Sequence, residues 1–381
     1  MKIFVVYVGE IEHCPPALSV VQVLGDLNHD TILCTIGKKN NAIFNSLRKK
    51  NIRIKSIGDD YKSDISLWSK FGRMFNIRKR LFQIIDKEYD DNSIIWVLSE
   101  GSLKHLGDKI MNYRYILHLL ELHEGIYYVS HSSLLKMNYK RIARMASVVV
   151  EAEYNRAHIT KAWWGLDKLP IVLPNKPYNT INIKKNAEIT SSKEVKELMD
   201  NLSDKKIILY QGNISKERPL QEYVKAVAEL GDEYAFVMMI NGNNPYPELK
   251  FSNFYVINFI NPPLHLEITS RAYIGILSYT PIKNDYSILN TLYCAPNKIW
   301  EYSQFGVPMI SNDLPALREM FMEYNNGICL ENLKKSSIKK AIQDISKNYD
   351  LYSKESLRLF DSVDIKEIVK YILEKAIGND K

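Results

Sequence analysis

The sequence predicts an α/β protein built from two parallel-sheet halves facing each other across a cleft, with a closing helix that returns to the first half. Three observations carry this reading. The chain has 381 residues, more than the roughly 250–300 at which a single core stops growing. Short apolar runs alternate with amphipathic stretches, the rhythm of β–α units. That rhythm restarts after residue 175. The expected division is 1–177, 178–358 and a returning helix over 359–381.

In the first half, strands are expected at Ile3–Val8, Thr31–Thr35, Ile52–Ile57, Ile94–Leu98, Tyr115–Leu120, Ser147–Glu151 and Ile171–Leu173. Helices are expected at Ala17–Leu27 and Ala42–Lys50. A polar segment, Asn179–Asp204, links the halves and runs into a helix. The second half continues with strands at Ile207–Tyr210, Ala235–Ile240, Phe254–Phe259, Ile274–Leu277 and Pro308–Ser311. Helices are expected at Leu220–Leu230 and Ile299–Phe305, and the tail from Lys335 is strongly helical.

Bulk properties narrow the function classes. Hydrophobic residues make up 46% and charged residues 25%, as in ordinary globular proteins, and 24 tyrosines against 16 glycines exclude a fibrous chain. The net charge of +7 suits phosphorylated small molecules or an anionic surface, but it is too small and too motif-free for nucleic acid. Cys14, Cys34, Cys294 and Cys329 form no CxxC pair, so neither a disulfide framework nor a structural zinc site is expected. The opening MKIFVVYVGE reads as a buried strand because its apolar run is too short for a signal peptide. No run approaches the roughly 20 residues of a membrane span. The expected location is the cytoplasm.

Four stretches carry candidate chemistry. In IILYQGNISKER a strand ends at Gly212, then Asn213, Lys216 and Arg218 precede a helix, an arrangement that favours a phosphate. In FVMMINGNNP a buried strand ends just before Gly242. In CAPNKIWEYSQFGVPMISND, Cys294, Ala295, Pro296 and Asn297 lead into a helix bearing Lys298 and Glu301, three residues apart and so on one face. A helix start there is a seat for a diphosphate, and a carboxylate one turn in can accept both ribose hydroxyls. Otherwise the two would be a surface Lys–Glu pair. In YILHLLELHEG a strand leads to Glu121, His123 and Glu124.

With these stretches in order, the chain resembles the retaining glycosyltransferases of family 4, whose fold is two Rossmann-like domains (GT-B). PNKIWEYSQFGVPMISND resembles that family's glutamate-to-Gly-x-Pro-x-Ile stretch, and YQGNISKERPLQEYVKAV its strand–loop–helix opening the second domain. RIARMASVVVEAEYNRAHI and PIVLPNKP resemble the end of the first domain. The resemblance implies that Glu301 is the second glutamate of a paired motif and holds the ribose. The first would fall at Tyr293, where this chain departs. It implies that Arg218 matches the diphosphate-binding lysine, and that Asn213 stands where an arginine is common, with Lys216 as a substitute. Residues 294–298 match the loop contacting sugar and diphosphate, and Gly242 the glycine after the second strand. His123 and Glu124 resemble a pair near the reacting sugar, and Gly9 the first-domain loop approaching the diphosphate.

The implied activity is transfer from a nucleotide-diphosphate sugar, UDP-linked rather than GDP-linked, to a hydroxyl on a glycan, lipid-linked or protein acceptor, with retention and without metal. Bacterial surface polysaccharide or glycoconjugate synthesis is the expected setting. No further cofactor is called for. Residues 67–84, LWSKFGRMFNIRKRLFQI, interleave basic and aromatic side chains and suit peripheral attachment to an anionic membrane face, or else form a helix with one core face and one solvated face. The alternative is a non-catalytic sugar-nucleotide-binding or scaffold subunit.

Overall fold

The computed structural model describes residues 1–37, 42–58, 67–128, 137–178, 183–282 and 287–378. The chain divides into two compact units. One comprises Met1–Tyr178 together with Asp364–Lys381, the other Asn179–Val363.

The first unit is built on a seven-stranded sheet of β1 (Lys2–Glu10), β2 (Asp30–Ile36), β3 (Arg53–Ser56), β4 (Ser93–Leu98), β5 (Tyr115–His118), β6 (Val148–Glu151) and β7 (Ile171–Val172). Its order is β3-β2-β1-β4-β5-β6-β7, every pairing parallel. The second unit holds a six-stranded sheet of β8 (Lys206–Gln211), β9 (Tyr234–Ile240), β10 (Phe254–Asn258), β11 (Ile274–Leu277), β12 (Met309–Asn312) and β13 (Gly327–Leu330). Its order is β10-β9-β8-β11-β12-β13, again parallel throughout. Strand order reverses between β1 and β4 and between β8 and β11. Ligands of open α/β sheets bind outside the carboxyl ends of the strands at such reversals.

The strands read as continuous apolar runs because both faces of each sheet are covered. Along β8, Ile207 and Leu209 join the core layer containing Tyr302 and Met309. Ile208 and Tyr210 join the opposite layer with Tyr223 and Phe236. This alternation follows from the two-residue period of a strand. Twelve strands are expected from the sequence, and β13 is a thirteenth. Its apolar run, Ile328–Leu330, is only three residues long and half-buried at Ile328 and Cys329. The helical tail is three helices, Lys335–Lys347, Tyr349–Asp361 and Ile365–Ile377. Asp364 caps the last, accepting hydrogen bonds from the N–H groups of Lys366 and Glu367, and that helix buries Val369, Ile372 and Leu373 in the first unit.

Gly275 in β11 shows how tightly the second sheet is packed. A Cβ there would lie 2.4 Å from the Tyr302 ring, whose hydroxyl donates to the Leu209 carbonyl at 2.9 Å. Gly275→Ala is expected to cost about 1–3 kcal/mol by overpacking. Thermal unfolding checks this, and an unchanged Tm would show that the ring can move aside.

Candidate functional site

The second unit assembles its polar residues at the carboxyl end of β8. The strand's last residue, Gln211, is buried, and Gly212 follows with φ +121°, a conformation that favours glycine. The helix Asn297–Ser303 lays its buried face against this strand end. Lys298 is 8% exposed and Glu301 6%, so they are not a surface pair. They share a face, as their spacing requires, but take different partners.

Glu301 sits in a closed polar network. The Gln211 Nε2 amide donates to one carboxylate oxygen at 2.6 Å, and His265 Nε2 lies 3.2 Å from the other. Thr269 donates its hydroxyl to Gln211 Oε1 at 2.6 Å, which fixes the orientation of that amide. Burial on its own raises the Glu301 pKa. The His265 imidazole, the Gln211 amide and the Lys298 charge outweigh it and hold the carboxyl below its ordinary value. Each carboxylate oxygen keeps a second lone pair, the capacity a pair of ribose hydroxyls would use.

Lys298 has no such closure. Its Nζ lies 4.3 Å from the centre of the Tyr210 ring and 5.0 Å from that of Tyr279. It is buried with no hydrogen-bond partner among the described residues. Burial, then the nearby Arg218 charge, press its pKa down to about 7. Arg218 stacks on the other aromatic of this pair, 5.5 Å from the Tyr279 ring, and donates from Nη1 to the Asn213 carbonyl at 3.1 Å. Its Nε is likewise buried with no partner among the described residues. Buried donors normally find partners. Two basic donors left open around one tyrosine have the chemistry to accept an anion.

The other expected donor-side residues surround this point unevenly. Asn213 is exposed, and its carbonyl also accepts from the Tyr210 hydroxyl at 2.6 Å. Its side chain reaches Asn241 beside Gly242, where φ is +92° and, among the described residues, a Cβ would meet nothing within 4 Å. Lys216 is exposed to solvent. Tyr293 closes the short helix Ile288–Leu292, Cys294 is buried, and Ala295, Pro296 and Asn297 are half-buried on the approach to Lys298.

In the first unit, His123 and Glu124 lie on the loop after β5, the first half-buried and the second exposed. His123 Nε2 is 4.0 Å from Glu100 Oε2. Gly9 lies near the carboxyl end of β1, against the Tyr7 ring. The stretch 67–84 falls within the helix Leu67–Glu88 and divides its residues. Phe82 is buried, and Arg78 donates to the carbonyls of His105 and Lys104, while Phe75, Lys79 and Arg80 are exposed. Among the described residues no helix is long and apolar enough to cross a membrane.

Sequence reading missed Gln211, His265, Thr269 and Glu100. Gln211 carried a signal, since a polar residue before glycine at a buried strand's carboxyl end faces a site. His265 carried none, because it meets Glu301 only through the fold.

No protein-family model matches the chain, and a search of curated proteins returns no match. Solved structures do match along the whole length. The chain is similar to Anabaena HepE in complex with UDP and glucose, with TM-score 0.66, 14% identity, 99% of this chain and 100% of that one covered. It is similar to a glycosyltransferase from Rickettsia africae, with TM-score 0.67, 14% identity and coverage of 100% and 99%. It is also similar to UDP-GlcNAc 2-epimerase from Neisseria meningitidis bound to UDP-GlcNAc, with TM-score 0.59, 14% identity and coverage of 99% and 100%. These likenesses show the fold: two Rossmann-like domains in one chain, the GT-B architecture.

Proposed function

We propose that the protein is a retaining, metal-independent glycosyltransferase that moves a sugar from a nucleotide-diphosphate sugar to a hydroxyl acceptor. The observation that carries this is the open pair of buried donors, Lys298 Nζ and Arg218 Nε, at the carboxyl end of β8. Breaking the bond between an anomeric carbon and a diphosphate places negative charge on the leaving group. Preorganised cations in a water-poor site stabilise that charge. Glu301, held by Gln211 and His265, is the ribose acceptor in this reading. His123 orients the reacting sugar, and the departing diphosphate takes the acceptor's proton. A UDP-linked donor is favoured, since the HepE structure holds UDP. Surface polysaccharide or glycoconjugate synthesis is the setting, with exposed Phe75, Lys79 and Arg80 offering a peripheral membrane contact.

A thermal-shift screen against UDP, GDP and their sugars tests the reading. A saturating donor at about a hundred times Kd adds about 2.7 kcal/mol to stability. For a unit of this size that is a rise of about 5–10 °C. No rise with any nucleotide diphosphate overturns the proposal. Tyr293, standing where the family's first glutamate would be, favours a second reading, a binding subunit without turnover. Nucleotide release from a bound sugar nucleotide decides against it.

A further inference from the structure

The loop that presents His123 is held from four sides by side chains the proposed function does not use. At the end of β4, Ser99 adopts φ +75°, ψ 154°, a region occupied almost only by glycine. Non-glycine residues persist there only where the surroundings demand the geometry. Here the turn sends Glu100 over the carboxyl end of β5. Glu100 is 6% exposed, and one of its oxygens accepts the N–H groups of Leu120 at 2.9 Å and Glu121 at 3.1 Å. The other oxygen lies 4.0 Å from His123 Nε2.

The carbonyls of the same loop are tied down too. Arg156 Nη1 donates to Leu120 at 3.2 Å, Trp164 Nε1 to His123 at 3.0 Å, and the Tyr139 hydroxyl to Glu124 at 2.8 Å. Arg156, Trp164 and Tyr139 are themselves buried. A buried carboxylate is costly to desolvate unless hydrogen bonds compensate it. Glu100 is repaid by backbone, so its placement fixes main chain as well as charge.

We propose that Glu100 is a positioning residue for His123: one carboxylate oxygen clamps the loop and the other faces the imidazole. This rests on the reading of His123 as the residue that orients the reacting sugar. The clamp needs only an acceptor oxygen, so Glu100→Gln keeps it and Glu100→Ala removes it.

The test has two arms. In protein labelled at histidine, the His123 Cε1–H signal, assigned by its loss in His123→Ala, is expected to shift and broaden in Glu100→Ala. It should stay sharp in Glu100→Gln. An unmoved signal in Glu100→Ala overturns the proposal whether or not sugar nucleotides turn over. In kinetics of glucose release from UDP-glucose, Glu100→Ala and His123→Ala each lower kcat at least tenfold, with KM within twofold. The double variant is no more than twofold worse than either, and Glu100→Gln stays within threefold of the parent. Additive losses overturn the proposal, because a residue acting only on stability would not share its effect with His123. If Glu100→Ala does not fold, Glu100→Gln decides: a tenfold loss of kcat with the fold intact is incompatible with a clamp. If the signal moves in Glu100→Ala as expected while the wild type shows no turnover, the result counts against sugar transfer and leaves the clamp standing.

Discussion

Lys298→Met is expected to raise the Tm of the ligand-free protein and at the same time weaken UDP-sugar binding at least tenfold. The two effects have one cause. Burial beside Arg218 lowers the lysine's pKa from its ordinary 10.5 to about 7. Between these values the unfolded chain holds the proton and the folded one does not. Stability therefore rises with pH across this window, by up to about 1.4 kcal/mol per unit. Below pH 7 the buried charge opposes folding in full. Methionine fills similar space without that penalty. Binding runs the other way. A diphosphate supplies the missing partner and draws a proton back onto Lys298, so affinity falls as pH climbs above 7, approaching tenfold per unit. Calorimetric titration from pH 6.5 to 8.5 should show this slope in the wild type and a flat, weak response in Lys298→Met. A pH-independent Kd in the wild type would remove Lys298 from the diphosphate site. Arg218→Ala is expected to lose at least tenfold in affinity, about 1.4 kcal/mol, without that pH slope being abolished.

Glu301→Gln is the second large expectation. An amide carries no charge and only one acceptor oxygen, so the contacts of Gln211 and His265 with a carboxylate cannot both survive. Breaking a buried charged network from one side costs about 3–5 kcal/mol. That corresponds to a Tm drop of about 6–20 °C for a domain of this size. The carboxyl's lowered pKa gives the loss a pH signature. Its contribution to stability is present above the unfolded value of 4.5 and disappears as pH falls through the lower folded value. The wild-type and Glu301→Gln melting temperatures should thus converge on acidification. A gap that persists in acid would assign the effect to packing instead of charge. Pairing Glu301→Gln with His265→Gln in a double-mutant cycle isolates the contact between them.

Much of the architecture was legible because the fold writes itself locally. Strands covered on both faces, such as β4 with SIIWVL and β9 with YAFVMMI, leave unbroken apolar runs between polar turns. The helix bearing Lys298 and Glu301 was legible from its spacing, and Pro296 marks its start. What escaped depends on distance. His265 reaches Glu301 after a crossover from β10, and no local pattern announces that meeting. Glu100 reads as an ordinary first-turn glutamate, and only the backbone of Ser99 reveals its aim. Lys216 and Arg218 read alike in the loop after Gly212, and only the fold separates them: Arg218 turns inward onto Tyr279 while Lys216 is exposed.

The first unit is written in two pieces, with the helix Ile365–Ile377 arriving after the whole second unit. During synthesis, the opening stretch through Tyr178 emerges while the helix that covers part of its apolar surface has not yet been made. The second unit, continuous in sequence, can finish first even though it starts later. Domains that emerge early usually fold early. Here the order is inverted for the last step. The apolar surface that Val369, Ile372 and Leu373 pack against stays without its cover until that helix has been made.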